Sequence, residues 1–232
     1  MINKLTKKEK LSLLTGESRW TLNPIERVGI KRYVFADCPH GVRSYENPCD
    51  NDSLVNKATA TPSLALLANT FNRNLVYKVG DVLGKEAAFY GVDALLAPGI
   101  NLKRSPLAGR NFEYFSEDPV VTGVLAEAFV NGVQKNYVAA TLKHYILNEQ
   151  ETNRFNNISV VDERTLHEVY LKPFKIALKA KPKLVMSSYN RALIINKTKE
   201  EHITESDYLV NKILRRKLGF KGTVVSDWDS VQ

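Results

Sequence analysis

The segment Gly222-Thr-Val-Val-Ser-Asp-Trp-Asp-Ser-Val-Gln232 brings an acid and an indole together at the mouth of a hydrophobic strand. An aspartate in that place suits a carboxylate held against a sugar ring for covalent attack, with the neighbouring Trp228 as an apolar platform. A lone Ser-Asp-Trp can equally be a polar strand end, so Asp227 needs support from other segments. Two supply it. Lys143-His144-Tyr-Ile-Leu-Asn-Glu-Gln-Glu-Thr-Asn-Arg154 crowds two cations, a histidine and several amides behind a strand end, a density that a binding pocket explains better than surface solvation does. Lys143 and Arg154 near a carboxylate are expected to lower its pKa and keep it ionised. The Gly-, Pro- and Asn-rich stretch from Leu96 to Pro119 reads as an ordered loop that can hold the Arg110 guanidinium rigidly, a planar fork suited to neighbouring ring hydroxyls; a structural clamp between Arg110 and Glu113 is the competing reading. His144 with Glu149 or Glu151 lacks zinc-helix spacing and further ligands, so no metal and no cofactor are expected.

These groups need a scaffold. A chain of 232 residues, 44% hydrophobic and 25% charged, can bury one substantial core and reads as a single globular domain over 1–232. Lys and Arg exceed Asp and Glu by 33 to 25, yet Lys4, Lys31, Lys103, Lys179 and Arg215 are scattered without interleaved aromatics. That pattern is a solvated surface and argues against a nucleic-acid partner. No apolar run is long enough to span a bilayer and none follows the charged N-terminus, so no membrane partner is expected and the chain reads as cytoplasmic. Cys38 and Cys49 are too few for a disulfide framework.

Strands are expected at Tyr33–Ala36, Asp93–Ala97, Val138–Leu142, Leu184–Ser188 and from Val224. Helices are expected over Phe71–Tyr90, from the Ser116-Glu-Asp-Pro119 start to about Gln134, from Asp162 with a bend at Pro173, and from a Thr204/Asp207 capping box with Val210, Ile213 and Leu214 inward and Gly219 at the stop. Such alternation implies parallel strands with helical crossovers, hence a barrel or a doubly wound sheet. Asp37, Lys143, His144, Tyr189, Asp227 and Trp228 all fall at or just after predicted strand ends, where a parallel β/α barrel carries its active site, and no phosphate-binding glycine pattern follows the first strand.

Pro98-Gly-Ile-Asn, Pro106-Leu-Ala-Gly-Arg-Asn-Phe-Glu-Tyr-Phe-Ser-Glu-Asp-Pro119, Lys143-His144 with Asn148-Glu-Gln-Glu-Thr-Asn-Arg154, Val185-Met-Ser-Ser-Tyr-Asn190 and Val225-Ser-Asp-Trp228 appear in one order. In these motifs the chain, from about Leu11 to its end, resembles the N-terminal barrel domain of glycoside hydrolase family 3, the β-glucosidase type. The resemblance implies an α/β fold of the parallel (β/α)8 TIM-type barrel, incomplete at the C-terminus, and a retaining β-glycosidase acting on β-linked glucosides or related saccharides. It makes Asp227 the nucleophile and Trp228 the stacking platform. Asp37, Arg110, Lys143 and His144 would bind ring hydroxyls, with Arg154, Met186 and Tyr189 lining the pocket. The general acid would be a glutamate of a following α/β sandwich domain, absent from these 232 residues, so that domain is the expected partner and the chain alone is expected to be inactive or poorly stable. Three departures from the family pattern stand out. Cys38 and Asp229 replace glycines, with Asp229 able to raise the pKa of Asp227 if the two face each other, and Arg191–Asn196 lacks a glycine after Tyr-Asn. Two competing readings are a sugar-binding protein without turnover and, ranked lower for want of ligands, a metal-dependent barrel hydrolase.

Overall fold

The computed structural model describes residues 2–231. Its strands are β1 (Thr21–Leu22), β2 (Tyr33–Asp37), β3 (Ala94–Leu96), β4 (Ala139–Tyr145), β5 (Ile158–Val161), β6 (Leu184–Ser187), β7 (Arg191–Ile194), β8 (Glu201–His202) and β9 (Thr223–Ser226). Helices α1 (Lys7–Ser12), α2 (Leu64–Ala68), α3 (Arg73–Phe89), α4 (Pro119–Gln134), α5 (Glu163–Thr165) and α6 (Lys172–Ala177) join them. Six strands form one sheet in the order β1-β2-β3-β4-β6-β9, antiparallel only at β1/β2. The parallel α/β order expected from the alternating elements is therefore present.

Side-chain alternation divides each strand between two faces. Phe35, Ala94, Leu96, Ala139, Leu184 and Met186 point to the inner face, with Tyr33 and Val225 against them. Ala36, Leu95, Ala140, Leu142 and Val185 point outward to the helices. The sheet is strongly curled: Phe35 on β2 meets Trp228, just past β9, at 6.2 Å between ring centroids, and Trp20, just before β1, lies 5.6 Å from Trp228. The two ends of the sheet thus approach each other across the inner face.

The α4 start is set by Asp118, whose carboxylate accepts from the Val120 and Val121 amides, with Pro119 in the first turn. Asp162 caps its helix as expected, accepting from Thr165. Pro173 acts one turn earlier than a simple bend. It lacks an N–H and crowds the carbonyl four residues back, and the preceding turn Leu166–Tyr170 widens to π geometry, with the Leu171 amide reaching the Leu166 oxygen at 2.8 Å.

The Thr204/Asp207 capping box is replaced. Ser206 is the N-cap of the π-wound Asp207–Lys217 helix, accepting from the Leu209 amide, while Thr204 faces the Ser187 and Ser230 hydroxyls. Leu209 rather than Val210 is buried with Ile213 and Leu214, because the wider winding shifts which residues share a face. Gly219 ends this helix at φ 72°, a left-handed turn that suits glycine.

Local patterns also leave out a second sheet, β5-β7-β8, in which Arg191–Ile194 pairs with Ile158–Val161. These strands are short and partly polar, and their pairing is long-range. No helix among the described residues is long and apolar enough to cross a membrane.

Helices α3 and α4 press together through glycine. A Cβ built on Gly80 would stand 2.5 Å from the Phe129 carbonyl oxygen, a backbone atom that cannot rotate away. Gly80→Ala is therefore expected to cost about 1–3 kcal/mol by overpacking, despite the better helix propensity of alanine. The urea midpoint of unfolding measures this, and an unchanged midpoint would show that the two helices can slide apart.

Candidate active site

Inner-face parity carries polar groups to the C-terminal rim of the sheet. Tyr33 and Phe35 lead to Asp37, Ala139 and Thr141 to Lys143, and Val225 to Asp227. The ladder continues past β9, where the Asp227 amide donates to the Ser187 oxygen at 3.1 Å. Successive residues of a regular strand face opposite sides, yet both Lys143 and His144 reach the inner cavity. The β4/β6 register shifts between Leu142 and Tyr145, a bulge that turns His144 inward.

A cavity of about 230 Å³ opens on this rim. Asp37, Arg110, Lys143, His144, Arg154, Met186, Tyr189, Asp227 and Trp228, the nine residues expected from sequence, all line it. Cys38 has not displaced Asp37 from the cavity, and the buried Cys38 thiol is pushed up to about 12 by desolvation, which leaves it inert. Trp20 and Leu96 line the cavity as well and went unrecognised. Trp20 lies far from the motifs in sequence and joins the site only because the sheet curls.

Charge in the cavity is arranged around a carboxylate that local motifs did not single out as central. Glu113 is buried, bonds the Arg110 Nε and stands 3.8 Å from Lys143 Nζ; Lys143, itself buried, is 4.0 Å from Asp37. The clamp between Arg110 and Glu113 is real, and Arg110 still reaches the cavity, so clamp and site coexist. Glu151 holds Arg154 at 2.9 Å, and the Arg154 guanidinium lies 3.9 Å from the centre of the Tyr189 ring, a cation–π stack that fixes it.

Asp227 is the group without a strong partner. Its Oδ1 accepts from the Trp228 amide at 2.8 Å, whereas Oδ2 is buried and unbonded, 3.5 Å from His144 Nε2. Desolvation raises its pKa above the ordinary 3.8, and Tyr189, Lys143 and Arg110 pull the other way. The expected net lowering by Lys143 and Arg154 is thus reversed. Burial outweighs the cations, because Glu113 and Glu151 already engage them. Asp229 takes φ 63°, the left-handed conformation that explains a glycine at that position and that aspartate tolerates. Its carboxyl is not among the leading influences on Asp227. His144 is fully buried, and desolvation, followed by Arg110, Lys143 and Arg154, holds its imidazole well below 6.5. No cluster of three or more His, Cys, Asp or Glu suited to a metal ion occurs among the described residues.

Glu149 lies behind this shell, buried beside Asn101 and pushed up to about 7 by desolvation. Its folded pKa exceeds the ordinary 4.5, so the folded chain binds the proton more tightly and stability falls as pH rises from about 4.5 through 7. On the scale of about 1.4 kcal/mol per pH unit, the loss is roughly 3 kcal/mol. Glu149→Gln should remove that part of the slope, read as the difference between the two chains in urea melts at pH 5 and pH 8. Parallel slopes would show that Glu149 stays charged in the fold.

Comparison with known proteins agrees with this geometry. The family model described as "Glycosyl hydrolase family 3 N terminal domain" matches residues 4–232. The thermostable beta-glucosidase B of Acetivibrio thermocellus is 42% identical over 234 residues, covering 100% of this chain and 30% of that protein. An exo-alpha-(1->6)-L-arabinopyranosidase of Bifidobacterium longum is 40% identical, over 98% of this chain and 30% of its own length. The structure of beta-glucosidase 3B from Thermotoga neapolitana in complex with alpha-D-glucose superposes with a TM-score of 0.89 at 41% identity, over 98% of this chain and 33% of that one. The chain therefore spans about a third of the length of these relatives. With the motifs, the curled parallel sheet and the full-length match in agreement, this chain belongs to glycosyl hydrolase family 3, over the N-terminal domain of that family.

Proposed function

We propose that this chain is the sugar-binding, nucleophile-bearing part of a retaining β-glycosidase acting on β-glucosides. The observation that carries the reading is Asp227 Oδ2, a buried carboxylate oxygen with no donor of its own, facing a cavity ringed by Arg110, Lys143 and Arg154. A pyranose seated there would offer hydroxyls to Asp37, Arg110 and Lys143 and an apolar face to Trp228. The glucose complex of the Thermotoga neapolitana relative supports glucose as the sugar.

In this reading Asp227 Oδ2 attacks the anomeric carbon. The C–O bond to the leaving group breaks as a general acid protonates that oxygen, and water later releases the sugar from the aspartyl ester. Hydroxyl contacts that tighten around an oxocarbenium-like transition state lower the barrier. The other carboxyls near the cavity face cations: Asp37 and Glu113 face Lys143, and Glu151 faces Arg154. The reading accordingly assigns the acid to a glutamate in a following domain of the longer protein. It also takes the curled sheet as the larger part of a (β/α)8 barrel, 1–232 being most of that domain.

A 2-deoxy-2-fluoro-β-glucosyl donor with a dinitrophenyl leaving group needs little acid assistance, so it tests the nucleophile by itself. Intact mass spectrometry should show one glucosyl adduct per chain, absent in Asp227→Ala. A folded chain that binds glucose yet takes no label, or a label that survives in Asp227→Ala, would refute Asp227 as the nucleophile.

A further inference from the structure

Asn101 closes the Pro98-Gly-Ile-Asn motif but was given no role from sequence. It is buried on the loop after β3, and both ends of its amide engage His144. Oδ1 accepts from the His144 backbone N–H at 2.7 Å, and Nδ2 donates to the His144 carbonyl at 3.0 Å. A backbone N–H can only donate and a carbonyl can only accept, so these two bonds fix which end of the amide is oxygen. The same Oδ1 stands 3.2 Å from His144 Nδ1, which must therefore carry the proton. On the far side of the ring, Arg110 Nη2 lies 2.8 Å from Nε2. A guanidinium has no acceptor, so that nitrogen must offer a lone pair. The two constraints come from opposite edges of the imidazole and demand the same tautomer. Burial and the surrounding cations independently keep the ring uncharged.

We propose that Asn101 is a positioning residue that locks His144 as the Nδ1–H tautomer, so that its bare Nε2 accepts from Arg110 and holds that guanidinium in place at the cavity wall. The consequence for recognition rests on the sugar-binding reading above. Arg110 takes the one lone pair of Nε2, so a hydroxyl seated beside these groups finds its free acceptor in Asp227 Oδ2, 3.5 Å from Nε2. The hydroxyl is thus drawn in as a donor, and a sugar lacking it, or carrying a hydrogen-bond acceptor in its place, leaves Oδ2 unbonded. Glu149 Oε1, 3.4 Å from Asn101 Nδ2, steadies the amide from behind. Tyr114 also approaches Nδ1, at 3.2 Å, but its hydroxyl can turn to donate or accept and imposes no tautomer of its own.

Long-range nitrogen–proton NMR on the chain labelled with ¹⁵N-histidine reads the tautomer directly, with His144→Gln identifying the resonance among the four histidines. At pH 7 the expected pattern is a protonated Nδ1 and a bare Nε2. The pattern should be unchanged in Tyr114→Phe and mixed or inverted in Asn101→Ala. A protonated Nε2 in the unsubstituted chain would overturn the assignment, as would a switch caused by Tyr114→Phe, and neither depends on Asn101→Ala folding. Glucose affinity, measured on the same samples, should fall at least tenfold in a folded Asn101→Ala. Full affinity in that variant would remove the positioning role. The tautomer is read without sugar, so a chain that binds no glucose speaks against the functional reading alone.

Discussion

A carboxylate can be kept buried at the floor of a cavity only when the charges around it offset its lost hydration, and the site depends on how Glu113 manages this. Three cations, Arg110, Lys143 and Arg154, line the cavity with Asp227. Left alone they would pair with the oxygens of Asp227 and hold its pKa low. Glu113 takes up Arg110 and Lys143, Glu151 takes up Arg154, and Asp37 shares Lys143. The positive potential remains, but no cation is bonded to Asp227. One oxygen of that carboxylate is consequently free toward the cavity, and burial is able to raise its pKa.

The fold supports this balance by stacking a dry inner layer under the charges. Phe35, Leu96, Leu184, Met186 and Val225 fill the inner face below the rim, so Asp37, Lys143 and Asp227 have low-dielectric material beneath them and the cavity above. Electrostatic interactions in such surroundings are worth more than in water, and unpaired groups there cost more. The β4 bulge and the Asn101 amide belong to the same economy of positions, since they bring His144 inward and then consume its polar edges.

Likeness to much longer relatives, of whose length the chain spans about a third, places this architecture in a known family. The geometry here concerns the cavity that Asp227 faces. It joins the buried carboxylate of Asp227, the Trp228 indole braced by Trp20 and Phe35, and cations whose own partners hold them still.

Local pattern sufficed for elements and motifs whose causes are local. Apolar runs marked the five parallel strands of the main sheet, a cap and a proline marked the start of α4, and the motifs held nine of the eleven residues that line the cavity. What local pattern missed is long-range. The β5-β7-β8 sheet depends on pairing between distant segments, and Trp20 reaches the site only through the curl of the sheet. The sign of the Asp227 pKa shift was also out of reach, because it is a difference between desolvation and charges that are themselves already paired. Sequence by itself determined the order of the elements and the identity of the chemical groups. Tertiary structure decided which cation faces which carboxylate and which histidine nitrogen is bare, since those depend on distances of a few ångströms between residues far apart in the chain.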